Sequence, residues 1–84
     1  MIYTVEIKVG LKKGVADPEG KNTAKALKLL GYSYVSDVKS AKMFRIYIDI
    51  SDEAKARAMV EEMCRRLLAN PVIHDYSIDI KVLD

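Results

Sequence analysis

The chain has 84 residues, half of them hydrophobic and 31% charged, with a formal net charge of +2. That length bounds it to a single domain with a thin stability margin, and the composition excludes a disordered chain. Acids and bases are interspersed and the net charge is small, too weak and too mixed to argue for nucleic acid by itself.

Cys64 is the single cysteine, so no internal disulfide can form, and a reducing, cytoplasmic setting is expected. No apolar run is long enough to cross a membrane. The N-terminus enters a strand without a charged-then-apolar leader. The apolar content is high for so small a body, so part of it is expected to face a partner or a second copy.

In chain order, Tyr3, Val5, Ile7, Val9 and Leu11 alternate with Thr4, Glu6, Lys8 and Gly10, a strand with one buried face. Lys12, Lys13 and Gly14 end it. Asp17 is placed to cap a helix, Pro18 fits its first position, and Glu19 sets a negative charge at the positive end of the dipole. This helix is expected from about Pro18 to Leu30, with Thr23, Ala26, Leu27 and Leu30 on one side and Lys21, Lys25 and Lys28 on another. Gly31 stops it in a left-handed conformation. Gly20 weakens a first turn, so the sequence predicts that another backbone or a partner approaches closely there.

Tyr32 to Ser40 is rich in β-branched and aromatic residues with imperfect alternation, and reads as a second strand with a bulge. Ser40-Ala41-Lys42 makes a turn into a third strand, in which Phe44, Ile46, Ile48 and Ile50 alternate with Met43, Arg45, Tyr47 and Asp49. These two strands would form a hairpin. Ser51 or Asp52 caps a second helix, expected to reach about Ala69, with a core stripe of Ala56, Val60, Met63 and Leu67 and with Met59 and Cys64 beside it. Glu53–Arg57, Glu61–Arg65 and Glu62–Arg66 are favourable i,i+4 pairs. Asn70 can close this helix and Pro71 prevents its continuation. Tyr76, Ile78, Ile80 and Val82 alternate in the last strand.

The order β-α-β-β-α-β predicts a ferredoxin-like α+β fold, with two helices packed on one face of a four-stranded antiparallel sheet over residues 1–84. The opposite face would be mainly polar, with Met43 and Tyr47 near Ile2 as an apolar spot.

Chemistry-bearing constellations are sparse. Cys64 and His74 would be the only cysteine–histidine pair, but Cys64 reads as a small core residue. No CxxC or HxxH spacing is present, so no metal site is expected. Asp17 and Glu19 read as helix-capping acids and Asp75 and Asp79 as strand residues, without a catalytic carboxylate separation. Lys12, Lys13 and Gly14 precede a helix start, yet Asp17 and Glu19 already occupy its positive end, and no phosphate-loop glycine pattern is present. An RNA-binding sheet would need exposed aromatics. Only Tyr47, with Arg45, qualifies, because Tyr3 falls on the inward face. The residues therefore describe a binding or assembly module.

Two stretches sharpen this reading. Lys13-Gly14-Val15-Ala16-Asp17-Pro18-Glu19-Gly20, followed by Leu27-Lys28-Leu29-Leu30-Gly31-Tyr32, resembles the PurS family, the small subunit of phosphoribosylformylglycinamidine (FGAM) synthase. So does Leu67-Leu68-Ala69-Asn70-Pro71-Val72-Ile73-His74-Asp75-Tyr76. Two departures stand out: Ser40-Ala41-Lys42 where the family has a Gly-Lys turn, and His74 where it has an acid. The resemblance implies a homodimer or tetramer that bridges a glutaminase subunit, PurQ, and a synthetase subunit, PurL, and helps enclose the ammonia route between them. It implies no catalytic group, cofactor or metal on this chain, with ATP and Mg used by the synthetase. It implies no nucleic-acid or membrane partner. The two motifs supply the candidate partner contacts Lys13, Gly14, Asp17, Pro18, Glu19, Gly20, Asn70 and Pro71. The competing readings are a metabolite-sensing, ACT-like domain and an RNA-binding domain of the same topology.

Overall fold

A computed structural model describes residues 1–83. Its elements are β1 (Ile2–Leu11), α1 (Pro18–Leu29), β2 (Ala41–Asp49), α2 (Glu53–Met63) and β3 (His74–Val82), with a π-helical turn, Cys64–Leu68, continuing α2. β1 lies in the middle of a three-stranded antiparallel sheet of order β2-β1-β3. The register pairs Val5 with Ile46 on one side and Ile80 on the other, and Ile7 with Phe44 and Ile78. Every apolar residue of the alternating pattern thus falls on one face. Tyr3, Val5, Ile7 and Val9 are buried on it, as the period of two requires.

α2 covers that face. Ala56, Val60 and Cys64 are fully buried, and Val60 and Cys64 cluster with Val5, Ile7 and Val9, with Phe44, Ile46, Ile48, Ile78 and Ile80 packed around them. Each fully buried aliphatic side chain contributes about 1.5–3 kcal/mol of transfer free energy, so this single α2–sheet layer is the main source of stability.

The expected four-stranded ferredoxin-like sheet is not formed. The strands present keep the inner order of that fold, but Tyr32–Ser40 adds no fourth strand and makes no hairpin with β2. Its imperfect alternation gives it no single apolar face to bury, and it would have been an edge strand, with one neighbour only. Instead it turns at Tyr32–Val35 and runs back beside α1 as an irregular limb.

The expectation that both helices pack on the sheet also fails, because α1 stands off it. Leu29 and Leu30 are 80% and 74% exposed, and Gly20 is the one buried residue of α1. The molecule is accordingly elongated, 50 × 30 × 14 Å, with a radius of gyration of 16.5 Å, against about 12 Å for a compact chain of this length.

Both helix ends differ in instructive ways. α1 ends as the sequence predicts: Gly31 has φ +103, its N–H donates to the Lys28 carbonyl, and the Tyr32 N–H donates to the Leu27 carbonyl, the Schellman arrangement. The regular part of α2 stops at Met63, short of the expected Ala69. The Ala69 N–H then donates to the Cys64 carbonyl five residues back. That extra residue in the turn rotates the buried stripe by one position. Cys64 and Ala69 are buried and Leu68 is half-buried, while Leu67, expected in the core, is 83% exposed. Asn70 does not close the helix. Its side chain accepts the Val72 N–H at 2.9 Å and its carbonyl accepts the His74 N–H at 2.8 Å, so it builds the turn that starts β3.

Candidate docking site

The two motif stretches meet at one end of the sheet. β1 delivers the chain to Gly10 and Leu11, opposite Ala41 of β2 and His74 of β3. The Lys12 N–H donates to the Ile73 carbonyl at 2.8 Å, which ties the turn before α1 to the turn before β3. Gly14, at φ +89, lets the chain reverse there while the Val15 N–H donates to the Lys12 carbonyl.

Asp17 is the centre of this junction. One carboxylate oxygen, Oδ1, accepts the Gly20 N–H at 2.9 Å, the N-cap bond expected from the sequence. The same oxygen accepts the Ser40 hydroxyl at 2.7 Å, and Oδ2 accepts the Ser40 N–H at 2.7 Å. These donors, Ser40 first, hold the Asp17 carboxyl below the ordinary carboxylate range. Asp17 therefore does two jobs: it starts α1 and it pins the returning limb to that start.

Gly20 answers the question raised by its position. A Cβ there would run into the Val38 carbonyl oxygen and lie 2.7 Å from Asp17 Oδ2. The close approach is made by the chain's own limb, and Gly20 is buried under it. α1 and residues 31–40 thus form one arm, a helix with an extended return, closed at its base by Asp17–Ser40 and Gly20–Val38.

Of the other predicted contacts, Lys13, Gly14 and Asp17 line a broad groove beside the arm's base. Glu19 and His74, from the two different motifs, line a small cavity of about 160 Å³ together with Ser40 and Lys42. Pro18, Asn70 and Pro71 are exposed. The His74 Nδ1 accepts the Asn70 N–H at 2.9 Å, so this side chain supports the turn of its own loop. Cys64 lies away from this end, buried under the sheet. Burial, reinforced by Glu61, raises its thiol pKa, which makes it a poor nucleophile.

Two parts of the surface escaped the sequence reading. Ser40 and Val38 carry the arm's closure, and only the unexplained Gly20 pointed toward such a contact. The apolar side chains of the arm are the second: besides Leu29 and Leu30, Tyr34 is 99% exposed. A mainly apolar groove of about 490 Å³ opens between β2 and the end of α2, lined by Ile46, Met59, Met63, Leu67 and Leu68 together with Glu62 and Arg66.

A helical arm held off an incompletely covered sheet, with an apolar groove beside it, defines a small α+β assembly module, which presents surface to other chains. Comparison with known proteins agrees. The sequence model of the PurS family, described as phosphoribosylformylglycinamidine (FGAM) synthase, matches residues 4–82. The phosphoribosylformylglycinamidine synthase subunit PurS of Methanocaldococcus jannaschii is 43% identical over 83 residues, covering 99% of this chain and all of its own length. That of Archaeoglobus fulgidus is 51% identical over 73 residues, covering 87% of this chain and 91% of its own. The crystal structure of the M. jannaschii protein, one of the subunits of formylglycinamide ribonucleotide amidotransferase in the purine biosynthetic pathway, superposes with a TM-score of 0.88 at 45% identity over 98% of this chain and 99% of that one. The chain belongs to the PurS family.

Proposed function

We propose that the chain serves as the PurS subunit of FGAM synthase in purine biosynthesis, joining a glutaminase subunit to an ATP-dependent synthetase subunit and carrying no reacting group of its own. The observation that carries this reading is the family match across residues 4–82. The reaction needs ammonia made at one subunit to arrive unprotonated at another, so water must be kept from the route. A subunit at that junction works by packing, and this chain is built to pack: its chemistry-bearing side chains Asp17, Ser40, Asn70 and His74 are engaged in holding the arm and its neighbouring turn. Any ATP and Mg used by the complex belong to the synthetase. The cytoplasm, where nucleotide precursors are made, is the matching location, and no helix among the described residues is long and apolar enough to cross a membrane.

The same reading includes a second copy. One chain carries both an uncovered apolar arm and an uncovered apolar groove, and two copies related by a two-fold axis would each supply what the other lacks. The test is co-purification: the tagged chain, at native abundance in its own cells, brings down the glutaminase and synthetase subunits. Recovery of neither under gentle lysis removes the reading.

A further inference from the structure

The small net charge hides a segregation that the interspersed appearance of the sequence obscures. Residues 8–42 carry eight lysines against three acids, whereas the remainder carries six basic residues against nine acids. The fold gathers those lysines. A groove of about 600 Å³ lies between the end of β1, the turn before α1 and the returning limb, and Lys8, Lys12, Lys13, Lys21 and Lys39 line it. Two acids, Asp17 and Asp37, line it too and offset part of that charge, Asp17 chiefly toward Lys39, so five lysines face two carboxylates and the groove stays net positive. Asp17 accepts from Gly20 and Ser40, Asp37 accepts the Val38 N–H at 2.9 Å, and among the described residues none of the five lysines forms a salt bridge. Lys25 and Lys28 continue from Lys21 along the exposed side of α1, at spacings that keep all three on one helix face.

We propose that this groove and the lysine stripe of α1 form a docking surface for an acidic, carboxylate-rich segment of a partner subunit. The proposal rests on the assembly role argued above and names the chemistry of one contact within it. A protein segment fits better than a small phosphate compound for a structural reason. A compact anion at a helix start is held by free backbone N–H groups, and here the Gly20 and Ser40 N–H groups are already taken by Asp17. What remains are lysine point charges on flexible stems, spread over a groove and two further helical turns. That array matches carboxylates spaced along a chain and makes association steep in ionic strength.

The experiment compares the wild-type chain with the triple variant Lys8→Glu/Lys13→Glu/Lys21→Glu, which spares Lys39 beside Asp17, each titrated against the purified synthetase and glutaminase subunits at roughly 50 and 300 mM salt, across which the Debye length falls from about 14 to about 6 Å. The wild type should bind one of the two subunits at least tenfold more weakly at the higher salt. The triple variant should keep its thermal midpoint, bind that subunit at least tenfold more weakly at low salt, and lose most of the salt dependence. Binding by the variant within twofold of wild type, with the same salt dependence, overturns the proposal and leaves the assembly role standing. Saturable binding of inorganic phosphate that the triple variant loses, with subunit association unchanged, assigns the groove to a small anion and also overturns it. Failure of the wild type to bind either subunit at both salt concentrations removes the assembly reading, and the proposal with it.

Discussion

Ser40 donates both its backbone N–H and its hydroxyl to the carboxylate of Asp17, each at 2.7 Å, across 23 residues of sequence. This pair closes the base of the arm. Without it, α1 and its return would be closed on each other chiefly by the Gly20–Val38 contact. The arm can therefore keep its apolar side chains exposed and still be held in one orientation, which a docking element requires.

The carboxylate of Asp17 is held below its ordinary range, chiefly by the Ser40 and Gly20 N–H donors. A depressed folded-state value means that its stabilisation is fully present above the unfolded-state value, about 3.9. It is lost as pH falls through the folded-state value. The variant Asp17→Asn should have a lower thermal midpoint than wild type at pH 7. The gap should shrink steadily once the pH drops below about 4. Parallel melting curves from neutral to acid pH read this directly, and a gap that does not change with pH would show that Asp17 acts by shape alone.

Gly20→Ala should destabilise the protein. Alanine favours a helix over glycine by about 0.5–1 kcal/mol, but the new Cβ meets the Val38 carbonyl oxygen, a backbone atom that cannot swing away. Overpacking of this kind costs about 1–3 kcal/mol. Urea denaturation should give a net loss, and a gain in stability would mean that the limb does not lie against α1.

Cys64 is fully buried among Val5, Ile7 and Val60. Its raised thiol pKa and lack of access predict that iodoacetamide modifies it at native pH far more slowly than in denaturant. Cys64→Ser should cost about 1–3 kcal/mol, because the hydroxyl has no partner in that core. Cys64→Ala should leave subunit association unchanged, since the thiol has no part in it.

The apolar arm predicts an oligomer. Leu29→Ser/Leu30→Ser leaves the α2–sheet core untouched but removes two exposed apolar anchors. Sedimentation equilibrium should show the wild type as a dimer or larger species, and the double variant with self-association weakened at least tenfold, worth about 1.4 kcal/mol or more. A wild type that is monomeric at micromolar concentration would contradict the paired-copy reading.

The strands with strict alternation were legible from the sequence because period two leaves only one burial choice: Val5 and Ile7 are inward, as are Phe44 and Ile46 more partially. The capping residues Asp17 and Gly31 were legible for local reasons. What misled was tertiary. Tyr32–Ser40 has the composition of a strand, but an edge strand needs a neighbour, and here the Asp17 carboxylate competes for Ser40. The helical stripe ending at Leu67 assumed a constant 3.6-residue period, and the π-helical turn at Cys64 broke it. Nothing in Leu29, Leu30 or Tyr34 tells whether their cover is the chain's own sheet or another molecule. For the docking site, the glycine left over from the capping argument was the one local clue, and its partner Val38 could be found only in three dimensions.

The central claim is that this chain acts by joining subunits rather than by chemistry. Reconstituting the glutaminase and synthetase subunits with and without it, and following FGAM formation from glutamine or from added ammonia, tests that most directly. Omission should abolish glutamine-dependent turnover while ammonia-driven turnover by the synthetase persists, because external ammonia bypasses the junction. Glutamine-dependent turnover that is unchanged without the chain would contradict the account.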